Sequence, residues 1–478
     1  MPQFNNTTYA VEKPGNFIVT DIHVIPYHRE GEEGIFRQII TDQVIEFSIY
    51  ESVESPFLTG DMTIVDGVNL INKLPLTGFE RLEFKLYTPG EKRGYDFSVL
   101  SGHPMMITGI RSKSMLKDRI QSYVLEFCSM ERVNNDLTKV KRAFAGSTDN
   151  AVLQICRNDL KSKKDIIIEE TKTNAKYVAP RIKPMAAIKE IGTLSESKKF
   201  NSQGYMFYET GTGFHFKTYE SMMCDESGTP RPVRATYSPR IVNYRDKKGD
   251  KDINNALSSV MEFRVKSQYD TLRLLNYGTF ANKTITHDSF NKTFSEEDFD
   301  YHKNYEKEKH LEDGGNRTGV VPFFNFDSGK TISDYPETKV YFVSDTDKVH
   351  NDYDYLGKDS DRGKRISQKA ALSSILLEIK VPGFTGISVG EVVHFTHPSF
   401  KEQKNSAEKD SDPRLSGRYL ITSIRHMVDL KIQKRHTMLL ELVKDSFQMK
   451  LPEETVDLFT NQENDKGESY LQYSLDGA

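Results

Sequence analysis

Apolar and polar residues alternate along much of the first 130 positions, in runs of four to nine residues bounded by Gly, Pro, Asp and Asn. Gln43–Tyr50 (QVIEFSIY) and Arg81–Tyr87 (RLEFKLY) carry the period of two that a half-buried strand requires. Met62–Val65, Met105–Ile110 and Ser122–Phe127 extend the pattern, with a helical turn expected at Leu70–Leu74. Short strands at this spacing predict a small barrel or sandwich over 1–140.

The pattern then changes. Asp149 or Asn150 can cap a helix through AVLQICRNDLK, whose Val152, Ile155, Cys156 and Leu160 share one face. A strand at Asp165–Glu169, a helix at Met185–Leu194 and a hairpin over 204–217 around Gly211-Thr212-Gly213 complete an α+β module assigned to 141–250. Strand character returns over 251–300 and 364–447, read as a second barrel. It is split by a polar insertion (301–363) with strand potential at Lys339–Ser344, and followed by a polar tail (448–478). The fold class expected is α+β, mainly β: two similar small β-barrels in one chain, with an inserted α+β module and a charged insertion.

The two β regions end alike. Ile107–Arg111 reads ITGIR and Ile421–Arg425 reads ITSIR; each leads, after about ten residues, to a similar strand, SYVLEF at 122–127 and TMLLEL at 437–442. Upstream, FLTGDMTIVD (57–66) loosely echoes FTGISVGEVVHF (384–395). Duplication explains a matched pentapeptide and a matched strand at nearly constant offset better than the alternation rules common to all hairpins. A ring of n chains, each with two equivalent domains, presents 2n-fold pseudo-symmetry, so three chains present six barrels.

Composition removes several functions. The net charge of −4 gives no global attraction to nucleic acid or anionic membrane. Cys128, Cys156 and Cys224 are too few and scattered for a disulfide framework or a cysteine zinc site. No run approaches 18 apolar residues, so no membrane-spanning helix is expected, and the polar start lacks the layout of a signal peptide; a reducing cytoplasm is the expected place of folding.

Motifs for chemistry fail one by one. Gly329-Lys330-Thr331 has Phe324 where a phosphate-binding loop needs glycine, and Gly211-Thr212-Gly213 lacks the third glycine of a dinucleotide fingerprint. His394 and His397 have no partner cluster, and His215 reads as a packed strand residue. Counted from Asp345, the run with Asp347, Asn351, Asp352 and Asp354 has His350 sixth and Leu356 twelfth, against the calcium-loop pattern. The Asn282 and Asn291 acceptor triplets need a secretory route, and the lysine clusters at 161–164 and 247–248 read as solvated surface. No catalytic, cofactor-binding or metal-binding residue is assigned, and no cofactor is expected.

One resemblance does emerge. FSIYESVESPFLTGDMTIVDGVNLINKLPLTGFERLEFKLYTPG (47–90), GYMFYETGTGFHFKTYE (204–220), IKVPGFTGISVGEVVHFTHP (379–398) and GRYLITSIRHMVDLKIQKRHTMLLELVKDSF (417–447) resemble, in order, the opening barrel, middle module and closing barrel of baseplate hub proteins of contractile-tailed phages. The hub part of type VI secretion spike proteins is similar. The resemblance implies a non-enzymatic homotrimer: a pseudo-hexameric ring joining the sixfold tail tube protein to a threefold central spike protein, with neighbouring baseplate proteins as further partners. It would be assembled in the host cytoplasm and placed in the virion baseplate, with DNA only passing through the channel. Polar hairpin positions Lys117, Arg119, Gln121, Lys431, Gln433 and Arg435 are the candidate channel residues. A tail-associated peptidoglycan hydrolase and a β-modular receptor-binding protein are the alternatives.

Overall fold

The computed structural model describes residues 13–26, 36–74, 76–239, 257–289, 291–312, 330–345, 361–398 and 411–447. The chain is mainly β, of the α+β class. Eight strands form its frame: β1 (Val44–Ser52), β2 (Thr59–Asp66), β3 (Met105–Lys117), β4 (Ile120–Ser129), β5 (Glu262–Gln268), β6 (Ile375–Pro382), β7 (Gly417–Asp429) and β8 (Arg435–Lys444). All their ladders are antiparallel. They build two quartets, β1-β2-β4-β3 and β5-β6-β8-β7, joined by pairing of β7 with β1. Among the described residues neither quartet closes into a barrel.

Alternation explains each quartet's inner face. Strand β2 buries Met62 and Ile64 while Thr63 and Val65 are only partly covered, and β8 buries Met438, Leu440 and Leu442 by the same period. The first quartet packs Phe47, Ile49, Leu125 and Phe127 with Phe84 in one core. The second packs Ile375, Leu377, Ile379 and Leu440 with Phe395 in another.

The middle module matches the sequence pattern closely. Helix Thr148–Asn158 buries Val152, Ile155 and Cys156 on one face, with Leu160 just beyond its end in the same core. Its N-cap is Ser147, two to three residues before the expected cap. Helix Pro184–Leu194 starts on proline, whose missing N–H costs nothing there. The hairpin Met206–Thr210/Gly213–Lys217 turns through Gly211-Thr212. A Cβ at Gly213, with φ +132°, would lie 2.3 Å from the Asp165 carbonyl oxygen.

Two placements differ from the sequence reading. Ala281–Asp288 and Thr293–Asp300 pair with each other, and the former also pairs in parallel with Val340–Asp345. Residues expected within the second barrel and the polar insertion therefore share one separate sheet. Alternation fixes which face a strand buries, not which strand lies beside it. Secondly, the strand occupying the place of β2 in the second quartet is β6, not 384–395. Residues 384–395 instead end in Val392–Phe395, which pairs with the start of β7 as Arg81–Glu83 pairs with the start of β3. The true counterpart of GEVVHF is thus the stretch Gly78–Phe84.

Candidate functional site at the strand edges

The ladders show how far the two quartets repeat. In the first, Ile107 faces Phe127 and Gly109 faces Glu126, leaving Thr108 as an unpaired bulge residue. In the second, Ile421 faces Leu442 and Ser423 faces Glu441, leaving Thr422. The Thr108 hydroxyl donates to the Glu126 carbonyl oxygen at 3.3 Å, and that of Thr422 to the Glu441 carbonyl oxygen at 3.2 Å. A bulge at the same point, tied by the same bond, makes the ITGIR and ITSIR hairpins structural equivalents. The correspondence reaches β1 and β5, where Val44-Ile-Glu-Phe matches Val260-Met-Glu-Phe, a repeat the sequence reading missed. Phe47 meets Phe84 at 5.1 Å, and Phe263 meets Phe395 at 6.3 Å in the same positions. Glu80 accepts the Thr77 and Gly78 amides, and Glu391 accepts the Ser388 amide in the matching turn.

The seam between quartets is closed by β7 and β1. Val428 lies opposite Phe47, each about 1% exposed. The Arg425 guanidinium sits 5.3 Å from the Tyr50 ring and contacts Ser48 Oγ at 3.2–3.3 Å. Beneath the seam runs a buried chain of hydrogen bonds. Glu51 accepts from the Tyr95 hydroxyl (2.7 Å) and from the Gly211 and Val389 amides. Tyr95 contacts His426 Nε2 (2.8 Å), and His426 Nδ1 contacts His436 Nε2 (3.0 Å). Because Tyr95 spends its proton on Glu51, His426 must donate from Nε2 and accept at Nδ1, so His436 also donates from Nε2. That leaves His436 Nδ1 as a bare acceptor at the end of this hydrogen-bonded series. Burial pushes the Glu51 carboxyl up to about 7 and the His436 imidazole down to about 3; burial and the His436 ring hold His426 well below its usual range. The node ties both quartets to the middle module.

The equivalent edges elsewhere carry no such seam. Beyond Met106, β3 pairs only with β4 among the described strands, and β5 pairs only with β6. Met115 is the positional counterpart of Val428 and Phe263 that of Phe47, but they are 78% and 41% exposed. An uncovered strand edge bearing apolar side chains is a template for another strand.

The residues singled out in the sequence disperse. Lys117, Arg119, Lys431 and Gln433 are exposed at the hairpin tips; Gln121 bonds Asp66 at 3.2 Å and Arg435 is half-buried. Thr331 forms a capping box with Asp334 rather than part of a phosphate loop. Asn282 is fully buried, donating to the Gly278 and Gly363 carbonyls. The three thiols are buried and free, each raised by desolvation, Cys128 to about 11. No group of three or more His, Cys, Asp or Glu able to hold a metal occurs among the described residues, and no helix there is long and apolar enough to cross a membrane. Asp347, Asn351, Asp352, Asp354, Gly329 and Lys247-Lys248 lie outside the described residues. The cluster at 161–164 is not all solvated surface: Lys164 is buried between Glu131 (2.8 Å) and Glu209 (2.5 Å). Its partners stand 33 and 45 residues away, beyond any local pattern.

Comparison with known proteins gives a consistent picture. No family model matches the chain. "Probable baseplate hub protein gp334" of Vibrio phage KVP40 is 22% identical over 427 residues, covering 87% of this chain and 92% of the relative. Among solved structures, a tail protein from Neisseria meningitidis MC58 aligns at 11% identity and TM-score 0.46 (89% and 96% of the two chains). The 43 kDa tail protein of prophage MuSo2 from Shewanella oneidensis aligns at 9% and 0.47 (89% and 98%). The resemblance to phage baseplate hub proteins, first carried by four segments, holds along most of the chain.

Proposed function

We propose that this chain is a structural hub of a phage tail baseplate, carried in the virion after assembly in the host cytoplasm, and that it works as a homotrimer. In this reading each quartet is the sheet of one small barrel domain. Six such domains form a pseudo-sixfold ring, with the tail tube on one side and a threefold spike on the other. The observation that carries the reading is the pair of unfilled edges. Within the chain, the edge of β7 is filled by β1; its counterpart β3 offers Met115 and Leu116, and the counterpart of β1, strand β5, offers Phe263. Transferring the β7–β1 register places Met115 of one chain opposite Phe263 of the next, where Val428 and Phe47 meet inside one chain. Such a head-to-tail contact closes into a ring when its rotation allows; the number three rests on the resemblance. No catalytic step belongs to this function.

Light scattering on the purified full chain, alone and with its spike partner, tests the reading. A trimer is expected, with Met115→Asp/Phe263→Asp giving a folded monomer by circular dichroism. A wild-type monomer in both conditions, or an undisturbed trimer in the double variant, overturns it.

A further inference from the structure

A cavity of about 260 Å³ lies where the loop at Arg93, the middle hairpin, the stretch 221–234 and the segment before β7 meet. Arg93, Lys217, Arg231 and Arg234 line it together with one carboxylate, Glu391. That carboxylate is already committed: Arg93 pairs with it at 2.5 Å, Arg234 Nε approaches it at 4.0 Å, and it accepts the Ser388 amide. Arg234 Nε also donates to the Gly386 carbonyl at 3.1 Å.

The other two cations are left over. Arg231 donates from Nε to the Ser221 carbonyl at 2.9 Å, and its two terminal nitrogens make no hydrogen bond among the described residues. Lys217 makes neither a hydrogen bond nor an ion pair there, although its ammonium is largely withdrawn from water. Burial, and then the Arg231 charge, pull its pKa below the usual lysine value. Tyr208, 2% exposed, also lines the cavity, and its hydroxyl makes no hydrogen bond among the described residues. Three hydrogen-bond donors, two of them charged, thus converge on one cavity with no acceptor assigned to them. Glu391 and Glu169 offset only part of the Lys217 charge, and two partly buried cations side by side favour an anion between them.

We propose that this cavity binds one small polyvalent oxyanion of the phosphate class, held by Lys217 Nζ, the Arg231 terminal nitrogens and the Tyr208 hydroxyl. Its size admits a tetrahedral anion with some water, and the fork of Arg231 with a lysine point charge suits such an ion. The bound anion would cross-link the middle hairpin, through Tyr208 and Lys217, to the segment that carries Arg231. This inference does not depend on the ring.

The test is calorimetry and thermal unfolding of the full chain with inorganic phosphate, against chloride at equal ionic strength. One saturable site per chain and a phosphate-specific rise in Tm are expected. Lys217→Met and Arg231→Gln should each weaken binding at least tenfold. Lys217→Met should unfold no earlier than wild type in phosphate-free buffer, since it removes a partly buried ammonium that faces the Arg231 charge. No phosphate site in the wild type, or wild-type affinity in both variants, overturns the proposal; so does binding of an acidic peptide without any binding of phosphate. Should Lys217→Met fail to fold, the Arg231→Gln affinity decides, because that guanidinium is half-exposed.

Discussion

The two quartets share ladders, bulge and aromatic pair, yet one outer edge is sealed and its counterpart pairs with no described strand beyond Met106. Across the sealed edge, Val428 and Phe47 lie in the core, and beneath it the ordered chain Glu51–Tyr95–His426–His436 is fully buried. The first quartet has Gln121 where the second has His436, and the half-buried Gln121 donates to the buried Asp66 carboxylate. Met115 stands in water where Val428 is covered. A duplicated frame has thus been specialised by what its edges meet. Local pairing rules built both copies; only the edge chemistry tells which contact stays within the chain.

The largest expected effect separates these edges directly. Phe47→Ala should cost about 3–5 kcal/mol in denaturant unfolding, because a fully buried ring packed on Phe84 is removed from a core that cannot collapse around it. Phe263→Ala, at the matching position but 41% exposed, should cost about 1 kcal/mol or less in the dissociated chain while weakening self-association. Equal losses in the dissociated chain would break the comparison.

Much of the frame was legible in the sequence. QVIEFSIY, the helix around Val152–Cys156 and the ITGIR/ITSIR hairpins express periods of 2 or 3.6 that local sterics impose. The strand partners of 281–288 and the counterpart of 384–395 were not legible, since ladders join residues far apart and alternation carries no address. The edges were missed for a related reason. Met115 and Phe263 read as ordinary strand residues, and only the ladder reveals that no described strand pairs along their edges. The burial of Lys164 likewise depends on Glu131 and Glu209 arriving from other elements. One signal was available and overlooked: Val44-Ile-Glu-Phe against Val260-Met-Glu-Phe.

Lowering the pH should load the sealed seam next. His426 and His436 stay neutral in the fold but protonate near 6.5 when unfolded, so their contribution is full above 6.5 and falls as pH drops, by roughly 1.4 kcal/mol per histidine per pH unit. Glu51 acts with the opposite sign. Its carboxyl titrates at about 7 in the fold and near 4.5 unfolded, so acidification returns roughly 1.4 kcal/mol per unit across that window. The three together predict a net loss of about 1.4 kcal/mol per unit between pH 6.5 and 4.5. His436→Gln keeps a donor toward His426 and should flatten this slope; chemical denaturation of both proteins at pH 7 and 5.5 measures it. An unchanged slope would show that the pair does not titrate on unfolding.

The smallest effect probes the equivalence itself. Thr108 and Thr422 each occupy the bulge, and each hydroxyl donates to the carbonyl of the facing glutamate at nearly the same length. Threonine and valine share shape and β-branching, so Thr→Val removes the bond while leaving strand preference intact. Each substitution should cost about 0.5–1.5 kcal/mol, the ordinary net worth of one intramolecular hydrogen bond. Thr422 should be the larger, because its hydroxyl also reaches the Glu441 carboxylate at 3.3 Å and is less exposed than that of Thr108. The two sites share no partner, so the double variant should lose the sum of the single losses. A difference above about 1 kcal/mol between the single variants would mean that one bulge is held by something other than this bond. The two hairpins would then be alike in register but not in what stabilises them.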